Sequence, residues 1–205
     1  MTDLIYDDTA PPALLKLQQE YGHKDRLNFV VGDVLNPNDL DRAIETSDAV
    51  ISCMGAPRTM ATDANEFYQM TGQAVVESMI RNGTRRLVVV TAAQAKRMSK
   101  AWWDSNASVA ENSARHLYWS GHYKFIAELE KFVESKSKDI DFTFVRPSQL
   151  HDDSHSEAYI MEVDTFFVGG SALPRPALAK FIVDDCIVAK KYLHKGVALA
   201  GTDDA

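Results

Sequence analysis

The stretch Asp48–Pro57, DAVISCMGAP, carries the residue types best suited to holding a ligand. Its apolar run Ala49-Val50-Ile51 reads as a buried parallel strand, and Ser52-Cys53-Met54 lead it into a Gly55-Ala56-Pro57 turn. In open α/β sheets the binding crevice lies outside the carboxyl ends of the strands. A glycine there lets a flat or phosphorylated ligand lie against backbone rather than against a Cβ. By itself Gly55-Ala56-Pro57 is an ordinary turn, and the surrounding segments decide between the two readings. His151-Asp152-Asp153-Ser154-His155 offers metal-ligand types, but no third or fourth ligand follows at a telling distance. It reads as a solvated loop, and no metal site is expected. The chain has neither a Gly-x-Ser-x-Gly elbow nor a P-loop, so hydrolase and nucleotide-triphosphatase chemistry lack support. Cys53 and Cys186 lie far apart in apolar surroundings and read as reduced, buried thiols rather than a disulfide.

The elements that must position these residues are set by composition first. With 205 residues, 45% hydrophobic and 25% charged, the chain has room for one core, and a single domain over 1–205 is expected. A net charge of −7 argues against a nucleic-acid or anionic-membrane surface, since such binders cluster Lys and Arg. The basic cluster from Arg81 to Arg86 reads as a helix C-terminus and loop. No apolar run reaches the 18 or so residues of a membrane span, and MTDLIYDDTAPP carries acids where a signal peptide carries a basic flank. A cytoplasmic protein acting on a small molecule is expected; the sequence leaves its oligomeric state open.

In chain order, Leu4-Ile5-Tyr6 reads as a short strand, and Thr9 before Pro11-Pro12 as the start of a helix ending at Gly22. Strands are expected at 27–31, 49–54, 86–90, 141–146 and 197–200, with a half-exposed strand over 159–167. Helices are expected over 39–47, 65–82, 123–136 and 178–192, the second stopped by Gly83. Residues 94–121 are polar with interspersed aromatics, a surface loop with one short helix or a lid. This alternation is that of βαβ units and a parallel sheet. It predicts that the runs 27–31, 48–54, 86–90 and 142–146 form adjacent parallel strands of one sheet.

VVGDV at 30–34, DAVISCMGAP at 48–57, RRLVVVTAA at 85–93, HYKFIAE at 122–128, FVRPSQL at 144–150 and AKFIVDD at 179–185 carry a family resemblance. In this order and spacing they resemble the atypical short-chain dehydrogenase/reductases, in the NmrA-like group that includes biliverdin-IXβ-reductase-type oxidoreductases. The resemblance runs from about residue 27 to the end. It implies a Rossmann-like, doubly wound α/β fold that binds NADP or NAD. It further implies that Asp33 faces the adenine with Val34 packing on the ring, and that Met54, Gly55 and Ala56 follow the ribose and pyrophosphate. Thr91 and Ala92 then stand beside the nicotinamide, Lys124 on its ribose, and Pro147, Gln149 and Leu150 against its amide. The implied reaction is hydride transfer to a small carbonyl, enone or flavin-like acceptor. The NmrA-like group also implies an alternative, a non-catalytic cofactor sensor or regulator.

Two departures accompany the resemblance. Similar proteins open with a strand and a Gly-x-x-Gly-x-x-Gly turn into a helix, and residues 1–30 contain no such pattern. In a doubly wound sheet that strand is central, so its absence leaves the strand at 49–54 unpaired on one edge unless Leu4–Tyr6 fills the place. A front shortened by about one βα unit is the expectation. The second departure is at the proton donor. The family's Tyr-x-x-x-Lys would need Tyr at 120, where Ser120 stands. His122 is the nearby substitute, with Tyr118 and Tyr123.

Overall fold

Apolar runs rich in β-branched residues form the strands, as the computed structural model shows for residues 2–6, 27–55, 64–93, 125–152, 156–165 and 170–202. Their order is β1 (Thr2–Tyr6), β2 (Leu27–Val31), α1 (Pro37–Ile44), β3 (Ala49–Ser52), α2 (Ala64–Asn82), β4 (Arg86–Val90) and α3 (125–135). They continue with β5 (Asp141–Pro147), β6 (Leu150–His151), β7 (Ile160–Val163), β8 (Leu173–Pro174), α4 (Arg175–Lys180) and β9 (Lys195–Ala200). The helix expected after Thr9 and the 94–121 segment lie outside the described residues.

Five strands pair in the order β3-β4-β5-β9-β7, parallel except for β7, which runs antiparallel to β9. Three of the four runs expected to be adjacent are so, in register Val50–Leu87 and Leu87–Phe142. The fourth corrects the expectation. β2 is not in this sheet but pairs in parallel with β1, Thr2 opposite Leu27 through Tyr6 opposite Val31. Leu4–Tyr6 therefore does not fill the place beside β3. Among the described residues no strand bridges β1 to β3, which divides the ladder into two.

Alternation along the strands splits the core into two layers. Leu87, Val89, Phe142 and Phe144 face Val75, Val76 and Met79 of α2 and Leu129 and Val133 of α3. On the other face Val88, Val145, Val197 and Leu199 meet Leu178, Phe181, Ile182 and Cys186. Helix ends follow local chemistry. Asn36 caps α1, its side-chain oxygen accepting from the Asn38 amide at 3.0 Å ahead of Pro37. Gly83 closes α2 at φ +74°, a left-handed stop that a Cβ would strain.

Three boundaries differ from expectation for backbone reasons. The helix expected over 178–192 starts as α4 and becomes a π-helix over Phe181–Val188. It has ended before Lys190 and Tyr192, whose φ of +49° and +59° cannot continue a right-handed turn. The carbonyl of Cys186 near its end accepts from buried Arg86, Nε at 3.1 Å and Nη2 at 2.9 Å. The strand expected over 159–167 is only β7, closed by Asp164 at φ +59°. α1 ends at Ile44 rather than at 47, with Thr46 at φ +65°.

Candidate functional site

Where β3 and β4 end side by side, their last residues and the helices packed behind them enclose a cavity of about 280 Å3. Its mouth is formed by Met54, Gly55, Thr91 and Ala92, and its walls by Tyr68, Gly72 and Val75 of α2 and Ile126, Leu129 and Val133 of α3. The walls are apolar because they are the upper end of the core layer that α2 and α3 share with the sheet. Among the described residues a Cβ built at Gly55 would find only the Tyr68 hydroxyl, at 4.0 Å, so none of them calls for glycine at this position. Gly72 is the reverse case, since a Cβ on it would lie 2.1 Å from Leu129 Cδ1.

Behind the mouth lies a buried polar network. Arg146 of β5 and Glu130 of α3 form a two-armed ion pair, Nε to Oε1 at 3.0 Å and Nη2 to Oε2 at 2.7 Å, with side chains only 4% and 5% exposed. Arg146 Nη1 also donates to the Thr165 carbonyl at 2.8 Å. Its guanidinium lies so close over Gly196 that a Cβ there would meet Nη1 at 2.2 Å. The Thr91 hydroxyl donates to Glu130 Oε1 at 2.9 Å, tying the mouth of the cavity to this pair.

Four of the residues implied by the resemblance come together here: Met54, Gly55, Thr91 and Ala92. The others do not. Asp33 is exposed and serves its own turn, its Oδ1 accepting from the Leu35 amide at 2.8 Å, and it does not line the cavity. Val34 packs against the α2–α3 core layer. Pro147 is buried at the end of β5, its carbonyl accepting from Ala93 N at 3.0 Å. Gln149 is exposed and accepts through its carbonyl from Leu173 N at 2.7 Å, while Leu150 packs on the opposite core layer. Ala56, His122 and Lys124 lie outside the described residues. Asp152 pairs with Arg175 at 2.7 Å.

Cys53 corrects the expectation of a buried thiol. Its surface is exposed at the end of β3, beyond the last ladder pair, although the protein crowding around it is enough to push the thiol up. It stays protonated at neutral pH and is a wall residue rather than a thiolate. Cys186 is buried as expected, and burial pushes it up to about 11.

The sequence reading passed over Glu130 and Arg146 as members of the site. A signal was present. Glu130 sits four residues after Ile126 and three before Val133, on the buried stripe of α3, and Arg146 interrupts the buried run of β5. Two opposite charges each set into an apolar pattern call for one another.

The comparisons agree with this architecture. A wide-type short-chain dehydrogenase/reductase from Veillonella parvula, solved in complex with NADP, superposes with a TM-score of 0.64 at 15% identity over 98% of this chain and 82% of that one. ChuY from Escherichia coli O157:H7, described as an anaerobillin reductase, gives 0.65 at 16% identity over 97% and 84%. A Rossmann-fold NAD(P)-binding family protein from Shigella flexneri gives 0.64 at 16% over 87% and 73%. At these identities the likeness is one of fold. No curated protein matches the sequence. Among the described residues no helix is long and apolar enough to cross a membrane. The profile of the NAD(P)H-binding family matches residues 12–187, most of the chain, and the protein belongs to that family.

Proposed function

We propose that the protein is an NAD(P)H-dependent oxidoreductase of the atypical short-chain dehydrogenase/reductase type. Its acceptor in this reading is a small carbonyl, enone or flavin-like molecule. The observation that carries the reading is the convergence of Met54, Gly55, Thr91 and Ala92, from two adjacent parallel strand ends, on one apolar cavity. This is where ligands lie in open α/β sheets. The cavity, with Gly55 at its mouth, suits the ring end of a nicotinamide nucleotide, which would supply the hydride. The chain's own part is to orient the ring and keep water from it. Lys124 and His122, which precede α3 in sequence, are the proposed ribose anchor and proton donor. The NADP complex of the Veillonella protein and the reductase activity in the description of ChuY support the class.

One observation favours a second reading, a non-catalytic, NmrA-like cofactor sensor. Among the described residues no strand pairs with the outer edge of β3, and residues 1–30 hold no glycine-rich turn for a pyrophosphate. Fluorescence titration with NADPH and NADH tests the first reading. Saturable binding weaker than low micromolar is expected, since the phosphates lack their usual glycine turn. An absence of binding overturns it. Turnover of an acceptor by the bound nucleotide separates the two readings, and Lys124→Met then tests the ribose anchor. Losing a charged hydrogen bond at the ribose lowers kcat/KM by roughly ten- to a hundredfold, whereas unchanged efficiency with intact thermal stability removes Lys124 from the site.

A further inference from the structure

We infer that Tyr68 is the hydrogen-bonding contact of this cavity: its hydroxyl, carried by α2 to the rim beside Gly55, meets a polar group at the outer end of a flat ligand whose ring lies against the apolar walls. This rests on the cavity being the ligand site proposed above, and it names the class of molecule taken there, a ring that bears a hydroxyl or carbonyl group. Tyr68 lines the cavity and is only 8% exposed. Its hydroxyl oxygen lies 4.0 Å from the point where a Cβ on Gly55 would stand, and Gly55 is part of the mouth. That distance puts the oxygen itself at the rim. The ring behind it is packed in a small apolar cluster with Ile126 of α3, Phe67 and Ala92, Phe67 meeting it edge to face at 5.9 Å. A ring fixed by packing leaves its hydroxyl in one place.

The lining sorts itself by depth. Val75, Val76, Leu129 and Val133 belong to the core layer of α2 and α3 and offer only carbon. Ser52 is the last residue of β3 and pairs with Val89, whereas the Tyr68 hydroxyl stands beside Gly55, beyond the end of that strand. Of the other hydroxyls, Thr71 donates to the Phe67 carbonyl of its own helix at 2.6 Å and Thr91 to Glu130 at 2.9 Å. A tyrosine hydroxyl has one proton to give and two lone pairs to offer, so a partner within the protein leaves it able to bond a ligand as well. Walls of carbon strengthen such a bond, because water competes for it less than at the surface. The ligand enters ring first, and its polar end stays at the mouth. A pure hydrocarbon fills the same walls but sets carbon against the Tyr68 hydroxyl.

Phenol and toluene make the test, since they share a shape and differ by OH against CH3. A cavity of ~150 Å3 holds a benzene ring, so both fit a space of about 280 Å3. Each is titrated into the isotope-labelled full chain and followed by NMR at cavity resonances. Tyr68→Phe removes the hydroxyl and keeps the ring that packs with Ile126. It is expected to weaken phenol about five- to tenfold, the effect of one net hydrogen bond, and to leave toluene within about twofold. The toluene arm reports on the cavity itself, so a merely structural role for Tyr68 would show as a parallel loss of both probes. Phenol affinity unchanged in Tyr68→Phe, both probes weakened alike, a phenol-specific loss that follows Ser52→Ala instead, or no shift with either probe in the parent chain overturns the inference. A failed NADPH titration would remove the cofactor reading and leave the comparison of phenol with toluene untouched, so the two failures are distinguishable.

Discussion

Ile51 and Val88 are register partners on neighbouring strands and point to the same face of the sheet, yet Ile51 is 44% exposed and Val88 fully buried. The π-helical segment that covers Val88 does not extend over Ile51, and among the described residues no strand pairs with the far edge of β3. Half of a strand that holds the candidate site is thus open on one edge and one face.

This contrast predicts unequal costs for one substitution at two adjacent places. Val88→Thr puts a hydroxyl into a closed apolar layer and is expected to cost roughly 1–3 kcal/mol. Ile51→Thr keeps the β-branched shape in a half-exposed position and is expected to cost less than about 1 kcal/mol. Urea unfolding of both variants measures the difference. Equal costs would mean that the face bearing Ile51 is covered in solution.

The Glu130–Arg146 pair is expected to behave as a buried ion pair does. Arg146→Met or Glu130→Leu strands a charge in the core and should each cost about 3–5 kcal/mol. The double variant removes both charges and should be more stable than either single one. A double-mutant cycle by chemical denaturation reads the coupling. Simple additivity of the two losses would show that the pair is solvated in practice.

Acid sensitivity is expected from Asp41. The Arg81 guanidinium first, and then the Ser78 hydroxyl, hold its carboxyl below the usual carboxylate range. A folded-state value below the unfolded one contributes stability that is present above the ordinary aspartate pKa of about 4. That contribution is lost as the pH falls through the folded value. The pair is partly exposed, so the contribution stays under about 1 kcal/mol and shrinks with salt. Asp41→Asn should lower the neutral-pH Tm slightly and flatten its acid limb. An unchanged slope of Tm against pH below 4 would place the effect elsewhere.

The strands were legible because β-branched runs such as Arg86–Val90 have few other uses, and α2 because Gly83 marks its end. What was not legible depends on partners distant in sequence. Nothing within LNFVV shows that among the described residues β2 pairs with β1 alone, because pairing is decided by which strand lies alongside. FIVDDCIV has the apolar content of an α-helix, and its wider turn follows from the Arg86 contact and the left-handed residues after it. At the site, Met54, Gly55, Thr91 and Ala92 could be placed because strand ends are where ligands lie. Asp33 lies away from the cavity, on a turn where its Oδ1 accepts from the Leu35 amide. Glu130 was hidden by its helix, whose apolar stripe was counted by its apolar members alone.

Gly72 and Leu129 set the last prediction, because their contact is also a wall of the cavity. A methyl on Gly72 would meet Leu129 Cδ1 at 2.1 Å, so Leu129 must turn away, and the open side available to it is the cavity that both residues line. Gly72→Ala gains up to about 1 kcal/mol of helix propensity, against roughly 1–3 kcal/mol for displacing a packed side chain. The empty space next to Leu129 keeps the displacement at the low end of that range, so the net change in stability is expected to be within about 1 kcal/mol of zero. The cavity is expected to respond far more than the fold. With Leu129 turned into it, the binding of a probe the size of benzene, which a cavity of ~150 Å3 can hold, should weaken by about tenfold or more. A Tm shifted by only a few degrees alongside that loss is the expected pair of readings, from thermal denaturation and NMR titration. Undiminished probe affinity would show that Leu129 moves away from the cavity and that its volume is set by other residues.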